Sequence, residues 1–212
     1  RKRLGSELAK ENHVESDLII PVPDSGVPAA IGYSEEIKKN VELGIIRNHY
    51  VGRTFIEPTQ QIRSLGVKLK HNVNKSLIKD KSLILIDDSL VRGTTSIKII
   101  KMLYEAGAKE VHLRIASPPI KYPDYYGVDT PDQNELLASK HNLESMRKYI
   151  NATTLQFLSL EGLYKSMGYE KRNSPYPQFT DHCFTGDYPV KPIDANNKDF
   201  VDNQLSFMSS KS

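Results

Sequence analysis

The chain holds one cysteine and no tryptophan among its 212 residues. The lone thiol, Cys183, excludes an internal disulfide framework and fits a reducing compartment. No apolar run approaches the roughly 18 residues that a membrane-spanning helix needs. An excess of charge is missing too: 29 Lys and Arg against 26 Asp and Glu leave a net +3. That balance argues against a nucleic-acid binder, which needs basic residues clustered on one face. Lys68, Lys70, Lys75, Lys79 and Lys81 could serve a phosphorylated small molecule or simply form a solvated face. Arg1-Lys2-Arg3-Leu4-Gly5 is basic, but no apolar core follows it, so no leader is expected and the chain reads as cytoplasmic. Leu4, Leu8 and Ala9 recur at helical spacing without an upstream cap. Such a beginning suggests the remainder of a longer protein.

What is present is an alternation of short apolar runs with helical patterns. Strands are expected at 17–22, 44–47, 82–86, 110–115 and 154–160. Helices are expected at about 1–16, 27–39, 96–106, 134–139, 143–150 and 161–167. In the 96–106 helix the apolar stripe reads as Ile97, Ile100 and Leu103 or Tyr104. From 48 to 66 no period is evident, and Gly52, Pro58 and the pair Gln60-Gln61 suggest a long functional loop. Nearly continuous apolar strands joined by helices predict an α/β fold, a mainly parallel sheet flanked by helices. The domain is expected over 1–170, with an irregular, Asn-, Asp-, Lys-, Pro- and Ser-rich tail over 171–212.

One strand-to-helix junction carries the chemistry. Leu83 to Ile86 delivers Asp87 and Asp88 to a strand's carboxyl end, where open α/β sheets bind ligands. Arg92-Gly93-Thr94-Thr95 then opens a helix. Gly93 permits close backbone approach, the threonines offer hydroxyls, and the helix start offers unpaired N–H groups, which together suit a phosphate monoester. A phosphate would repel the adjacent carboxylates, so these are expected to face ribose hydroxyls and a hard divalent cation. The ligand that combines these features is a ribose 5-phosphate derivative. The plain alternative is that the two aspartates cap the helix and Gly93 merely turns the chain.

Leu85-Ile86-Asp87-Asp88-Ser89-Leu90-Val91-Arg92-Gly93-Thr94-Thr95 resembles the signature of type I phosphoribosyltransferases. Its Ser-x-Val-Arg-Gly-Thr-Thr form is similar to that of the glutamine phosphoribosylpyrophosphate amidotransferase family. Pro21-Val22-Pro23-Asp24-Ser25, Tyr50-Val51-Gly52-Arg53-Thr54-Phe55-Ile56, Glu105-Ala106-Gly107-Ala108-Lys109-Glu110-Val111, Ser117-Pro118-Pro119-Ile120, Tyr126-Gly127-Val128-Asp129 and Cys183-Phe184-Thr185-Gly186 follow in that family's order. The resemblance spans roughly residues 1–190. It implies the type I phosphoribosyltransferase fold and transfer from 5-phosphoribosyl 1-pyrophosphate to ammonia, the first step of de novo purine biosynthesis.

By that resemblance Asp87 and Asp88 contact the ribose diol and Mg²⁺, and Ser25 is a third metal-site residue. Ser89, Val91, Arg92, Gly93, Thr94 and Thr95 cradle the 5-phosphate. The loop of Tyr50, Gly52 and Arg53 closes over the pyrophosphate, with Arg53 catalytic, and Arg47 and Lys70 add positive charge. Homo-oligomers and inhibition by purine nucleotides are implied as well. The departures carry their own expectations. The family's N-terminal glutaminase domain begins on a cysteine nucleophile; here residue 1 is Arg1, so no glutaminase activity is expected from this chain alone. The 1–16 helix would continue from that missing domain, or a separate glutaminase subunit would dock. One branch carries an iron–sulfur cluster on cysteines, but the matching positions here are Asp124, Thr180 and Cys183, so no cluster is expected. Where Lys-Asn-Arg-Tyr is usual, this chain has Arg47-Asn48-His49-Tyr50, and His71 follows Lys70 where an apolar residue is usual. A salvage phosphoribosyltransferase and a non-catalytic nucleotide-binding remnant remain as alternatives.

Overall fold

The computed structural model describes residues 1–48, 71–128, 130 and 132–190. The framework is a parallel sheet of β1 (Leu18–Pro21), β4 (Ser82–Asp87), β5 (Glu110–Ile115) and β6 (Thr154–Phe157), side by side in that order. Its central strand explains its layering. Side chains alternate across a strand, so Leu83 and Leu85 enter one apolar cluster while Ile84 and Ile86 enter another. The first cluster lies under α4 (Thr94–Glu105) and α6 (Leu143–Ile150); the second lies under α1 (Lys2–Asn12) and α2 (Val27–Ile37). A sheet covered on both faces buries nearly all of its central strands, which is why β4 has no polar alternation to read.

A two-stranded antiparallel ribbon, β2 (Ile45–Arg47) with β3 (His71–Val73), stands apart from the sheet. The short α3 (Lys75–Ile78) leads from it into β4. After β5 come a 3-10 turn at Gln133–Glu135, α5 (Leu137–Lys140), α7 (Leu160–Ser166) and α8 (His182–Thr185).

The α/β expectation holds, with local differences. The first helix ends at Asn12 rather than 16, because the chain turns extended at His13 (ψ 146°). The expected 134–139 helix is broken into the 3-10 turn and α5, with Leu136 extended between them. In α4 the fully packed stripe is Ser96, Ile99, Ile100 and Leu103, while Ile97 and Tyr104 are only partly buried at its margin. Lys75, Lys79 and Lys81 are exposed near the amino end of β4, so that part of the lysine run is a solvated face.

Residues 171–190 contain little regular structure, yet they are fastened to the domain. Arg172 donates to both oxygens of the buried Asp181 at 2.6 and 3.1 Å, and the Tyr164 hydroxyl of α7 donates to the same carboxylate at 2.8 Å. Buried His182 pairs with Asp124 at 2.8 Å, with Tyr188 stacked on its ring. The polar composition gave no sign of this fastening, because pairing between residues far apart in sequence has no local signature.

Candidate active site

The topology selects one edge of the sheet. After β1 the chain crosses to the α2 face, and after the adjacent β4 it crosses to the α4 face. The crevice between two such divergent connections is where open α/β sheets take ligands. A cavity of about 390 Å³ lies there, lined by Ser25, Arg47, His71, Asp87, Asp88 and the whole of Ser89 to Ser96. Four chain segments supply it: the β1–α2 turn, the β2–β3 ribbon, the end of β4, and the loop into α4.

Asp87, the last residue of β4, is 7% exposed. Its Oδ1 accepts the Asp88 N–H at 2.9 Å and the Ser25 hydroxyl at 3.3 Å. Burial pushes its carboxyl up to about 7; the Asp88 amide and Ser25 hydroxyl oppose that rise, and the Asp88 charge adds to it. A carboxyl held at this value takes up or releases its proton near neutral pH and gains strongly from any cation brought to it. Asp88 is less buried, and Arg1 at the start of α1 approaches its Oδ2 to 3.7 Å. The β1–α2 turn is held against β4 by the Val22 N–H donating to the Ile86 carbonyl at 2.8 Å. Gly26 makes that fit possible, because a Cβ there would lie 2.3 Å from the Ile86 oxygen. The Pro23–Asp24 peptide in this turn is cis.

The loop into α4 ends on Gly93, the N-cap of α4, at φ 77°. A Cβ at Gly93 would meet Leu137 at 3.0 Å, so both the backbone conformation and the neighbour demand glycine. Helical pairing begins with the Ile97 N–H to the Gly93 carbonyl at 3.0 Å. The amides of Thr94, Thr95 and Ser96 therefore have no intrahelical acceptor and stand beside the cavity as an anion cradle. No side chain caps this helix, and Asp87 and Asp88 lie well before it, which removes the capping alternative. Neighbouring elements brace the loop. The Leu137 N–H donates to the Val91 carbonyl at 2.9 Å, and Arg92 Nε donates to Glu135 at 2.7 Å.

The structure thus brings together Ser25, Arg47, Asp87, Asp88, Ser89, Val91, Arg92, Gly93, Thr94 and Thr95. Tyr50, Gly52, Arg53 and Lys70 lie outside the described residues. Sequence reasoning missed four contributors. His71 lines the cavity as a buried residue; Asp24 holds the Arg47 guanidinium at 2.6 Å; Glu135 and Arg1 pair with Arg92 and Asp88. His71, set beside the suspected loop, and Asp24, beside Ser25 in the Pro21–Ser25 motif, each gave a local signal. Glu135 and Arg1 arrive from elements distant in sequence.

This cavity, with acidic residues at a strand end and unpaired amides at the next helix start, has the layout that a phosphoribosyltransferase fold places at the carboxyl edge of its sheet. The chain belongs to the phosphoribosyl transferase domain family, which matches residues 2–117. Within that class its sequence is similar to amidophosphoribosyltransferases. It is 57% identical over 211 residues to the Rhizobium etli protein, covering 99% of this chain and 42% of that one. It is 50% identical over 208 residues to amidophosphoribosyltransferase 2, chloroplastic, of Arabidopsis thaliana, covering 97% of this chain and 36% of that one. Among solved structures it resembles the glutamine phosphoribosylpyrophosphate amidotransferase of Bacillus subtilis complexed with ADP and GMP. That likeness has a TM-score of 0.78 and 50% identity, over 89% of this chain and 41% of the other. The chain spans about two fifths of the length of these relatives. No helix among the described residues is long and apolar enough to cross a membrane.

Proposed function

We propose that the chain transfers the phosphoribosyl group of 5-phosphoribosyl 1-pyrophosphate to ammonia, giving 5-phosphoribosylamine and pyrophosphate in purine biosynthesis. The observation that carries this reading is the meeting, in one cavity, of buried Asp87 with the Gly93–Ser96 amide cradle. The 5-phosphate sits on the cradle, steadied by the hydroxyls of Ser89, Thr94 and Thr95. The ribose diol then falls to Asp87 and Asp88. The ammonia nitrogen donates its lone pair to ribose C1, the bond from C1 to the pyrophosphate oxygen breaks, and the new ammonium gives up a proton. Positive charge develops at C1 as the leaving group departs, and the Asp87–Asp88 carboxylates beside the ring stabilise it.

The residues present fit Mg²⁺. Asp87, Asp88 and Ser25 offer hard oxygen donors, and burial makes the Asp87 charge costly in a way that a bound cation would offset. Two carboxylates would not complete a coordination shell, so ligand and water oxygens would have to supply the rest. When bound, the ion would neutralise the leaving pyrophosphate. An iron–sulfur cluster does not fit the described side chains. Asp124 is committed to His182, Thr180 is exposed, and Cys183 alone offers a thiol.

The loop of Tyr50, Gly52 and Arg53 is proposed to close over the pyrophosphate, with Arg47 and Lys70 adding positive charge. Glutamine is proposed to enter only through a glutaminase domain or subunit, and purine monophosphates and diphosphates to compete as inhibitors. We place the reaction in the cytoplasm, where the phosphoribosyl donor, a soluble polyanion, is at hand, and propose a homo-oligomer. The test is release of pyrophosphate from phosphoribosyl pyrophosphate, Mg²⁺ and ammonia. Release by the wild type well above Asp87→Asn supports the reading. Binding without release would leave a nucleotide-binding module instead, and release that requires a purine base would leave a salvage enzyme.

A further inference from the structure

The cavity rim can be ordered by its contacts. The β2–β3 ribbon joins the β1–α2 turn through Arg47 and Asp24, and that turn joins β4 through Ser25 and Asp87. Asp88 then leads into the phosphate loop. A phosphoribosyl ligand with its 5-phosphate on the loop and its diol on the carboxylates turns its C1 substituent toward what remains: Pro23, Ser25, Arg47 and His71. That substituent is the more highly charged end of the molecule.

Arg47 and His71 face each other directly in the ribbon's register. Alternation along the two short strands explains their shared direction. Ile46 and Asn72, one residue away on each strand, are exposed, whereas Arg47 and His71 line the cavity. Arg47 is only partly spent: one Nη1 contact goes to Asp24, and its buried Nε has no hydrogen-bond partner among the described residues. His71 is 7% exposed and lines the same cavity. Arg92, the remaining cationic side chain among the described lining residues, is drawn to Glu135.

We propose that His71 is a pyrophosphate-binding residue, its ring N–H donating to an oxygen of the C1 pyrophosphate beside the Arg47 guanidinium. The inference rests on the phosphoribosyl-transfer reading and deepens it by assigning a contact to the far end of the ligand. A neutral imidazole already offers one N–H donor, and an imidazolium offers two. The contact exists with the substrate's pyrophosphate as well as with the product's, so it supports binding more than the chemical step.

The experiment measures binding of Mg²⁺-pyrophosphate and of ribose 5-phosphate by calorimetry, using the full 212-residue chain. Wild type is compared with His71→Leu, which keeps bulk but no donor, and with His71→Gln, which keeps a donor. Pyrophosphate is expected to bind about tenfold more weakly to the Leu variant, with most of that loss restored by Gln. Ribose 5-phosphate is expected to change less than about twofold, and KM for phosphoribosyl pyrophosphate to rise with kcat nearly constant. Unchanged pyrophosphate affinity in the Leu variant overturns the assignment, as does equal weakening of both ligands, which would mark a packing role. Wild type that binds neither ligand overturns the phosphoribosyl reading itself, an outcome distinct from either of these.

Discussion

The Ser25 hydroxyl donates to Asp87 Oδ1 at 3.3 Å across 62 residues of chain, joining the ends of two neighbouring parallel strands. The contact makes the β1–α2 turn and the β4 terminus one unit, so the acidic side of the cavity depends on both.

Asp87 should make stability depend on pH. Its folded carboxyl, pushed up to about 7 by burial, lies above the ordinary value of 3.8. The unfolded chain therefore ionises first, and folding loses stability as pH rises between these two values. The full loss, on the order of 4 kcal/mol without a bound cation, is reached above about pH 7. Melting temperatures in a chelator should show Asp87→Asn more stable than wild type at pH 8 and nearly equal at pH 4. A constant difference across that range would contradict this account.

Gly26→Ala should damage the site through the backbone. Its new Cβ would lie 2.3 Å from the Ile86 carbonyl oxygen and 3.0 Å from that of Val22, so the turn must retreat from β4. The expected cost is about 1–3 kcal/mol in denaturant unfolding. Loss of the Ser25–Asp87 contact should also weaken Mg²⁺-dependent ligand binding by about tenfold or more. Unfolding curves and calorimetry on the same variant separate the two effects.

Gly93→Ala should impair the anion cradle. The residue sits at φ 77°, and a Cβ would press on Leu137 at 3.0 Å and Ile150 at 3.4 Å. Strain at a left-handed position costs about 1–2 kcal/mol. Ribose 5-phosphate affinity should fall with it, because the first amides of α4 can no longer keep their direction. Equal affinity in the Ala variant would show that these amides do not hold the phosphate.

Arg172→Ala should release the 171–190 segment. Burial alone would raise the Asp181 carboxyl, but hydrogen bonds from Arg172 and Tyr164 outweigh it and hold the group below its usual range. Removing the guanidinium strands a buried carboxylate, at about 3 kcal/mol. The Arg172 contribution is present above the ordinary carboxylate pKa and fades as pH falls through the lower folded value, so the deficit should be largest near neutrality. Limited proteolysis near pH 7 should cut the variant within 171–190 well before the wild type.

Several features were legible in the sequence because their causes are local. Leu83 to Ile86 read as a buried strand from an apolar run, and the end of β4 placed Asp87 and Asp88 at a binding edge. Gly93 followed by paired threonines marked a helix start able to take an anion. The strand at 110–115 and the helix at 143–150 fell where their patterns placed them. The break between the 3-10 turn and α5 was not legible, because Leu136 and Leu137 are apolar in either arrangement and only packing chooses between them.

By itself the sequence determined the element order, the doubly covered sheet, the acidic end of β4 and the glycine that opens α4, all of which depend on side-chain period and backbone preference within a few residues. Only the tertiary structure decided which distant groups complete the cavity. Ser25 reaches Asp87, Asp24 orients Arg47, Glu135 holds Arg92, and the ribbon turns His71 inward. It also decided that residues 171–190 are fastened by Arg172, Asp181, Tyr164 and the Asp124–His182 pair. The physical reason is the same in each case. Long-range contacts are selected by burial and charge pairing once the chain is closed upon itself, and neither leaves a periodic mark along the sequence.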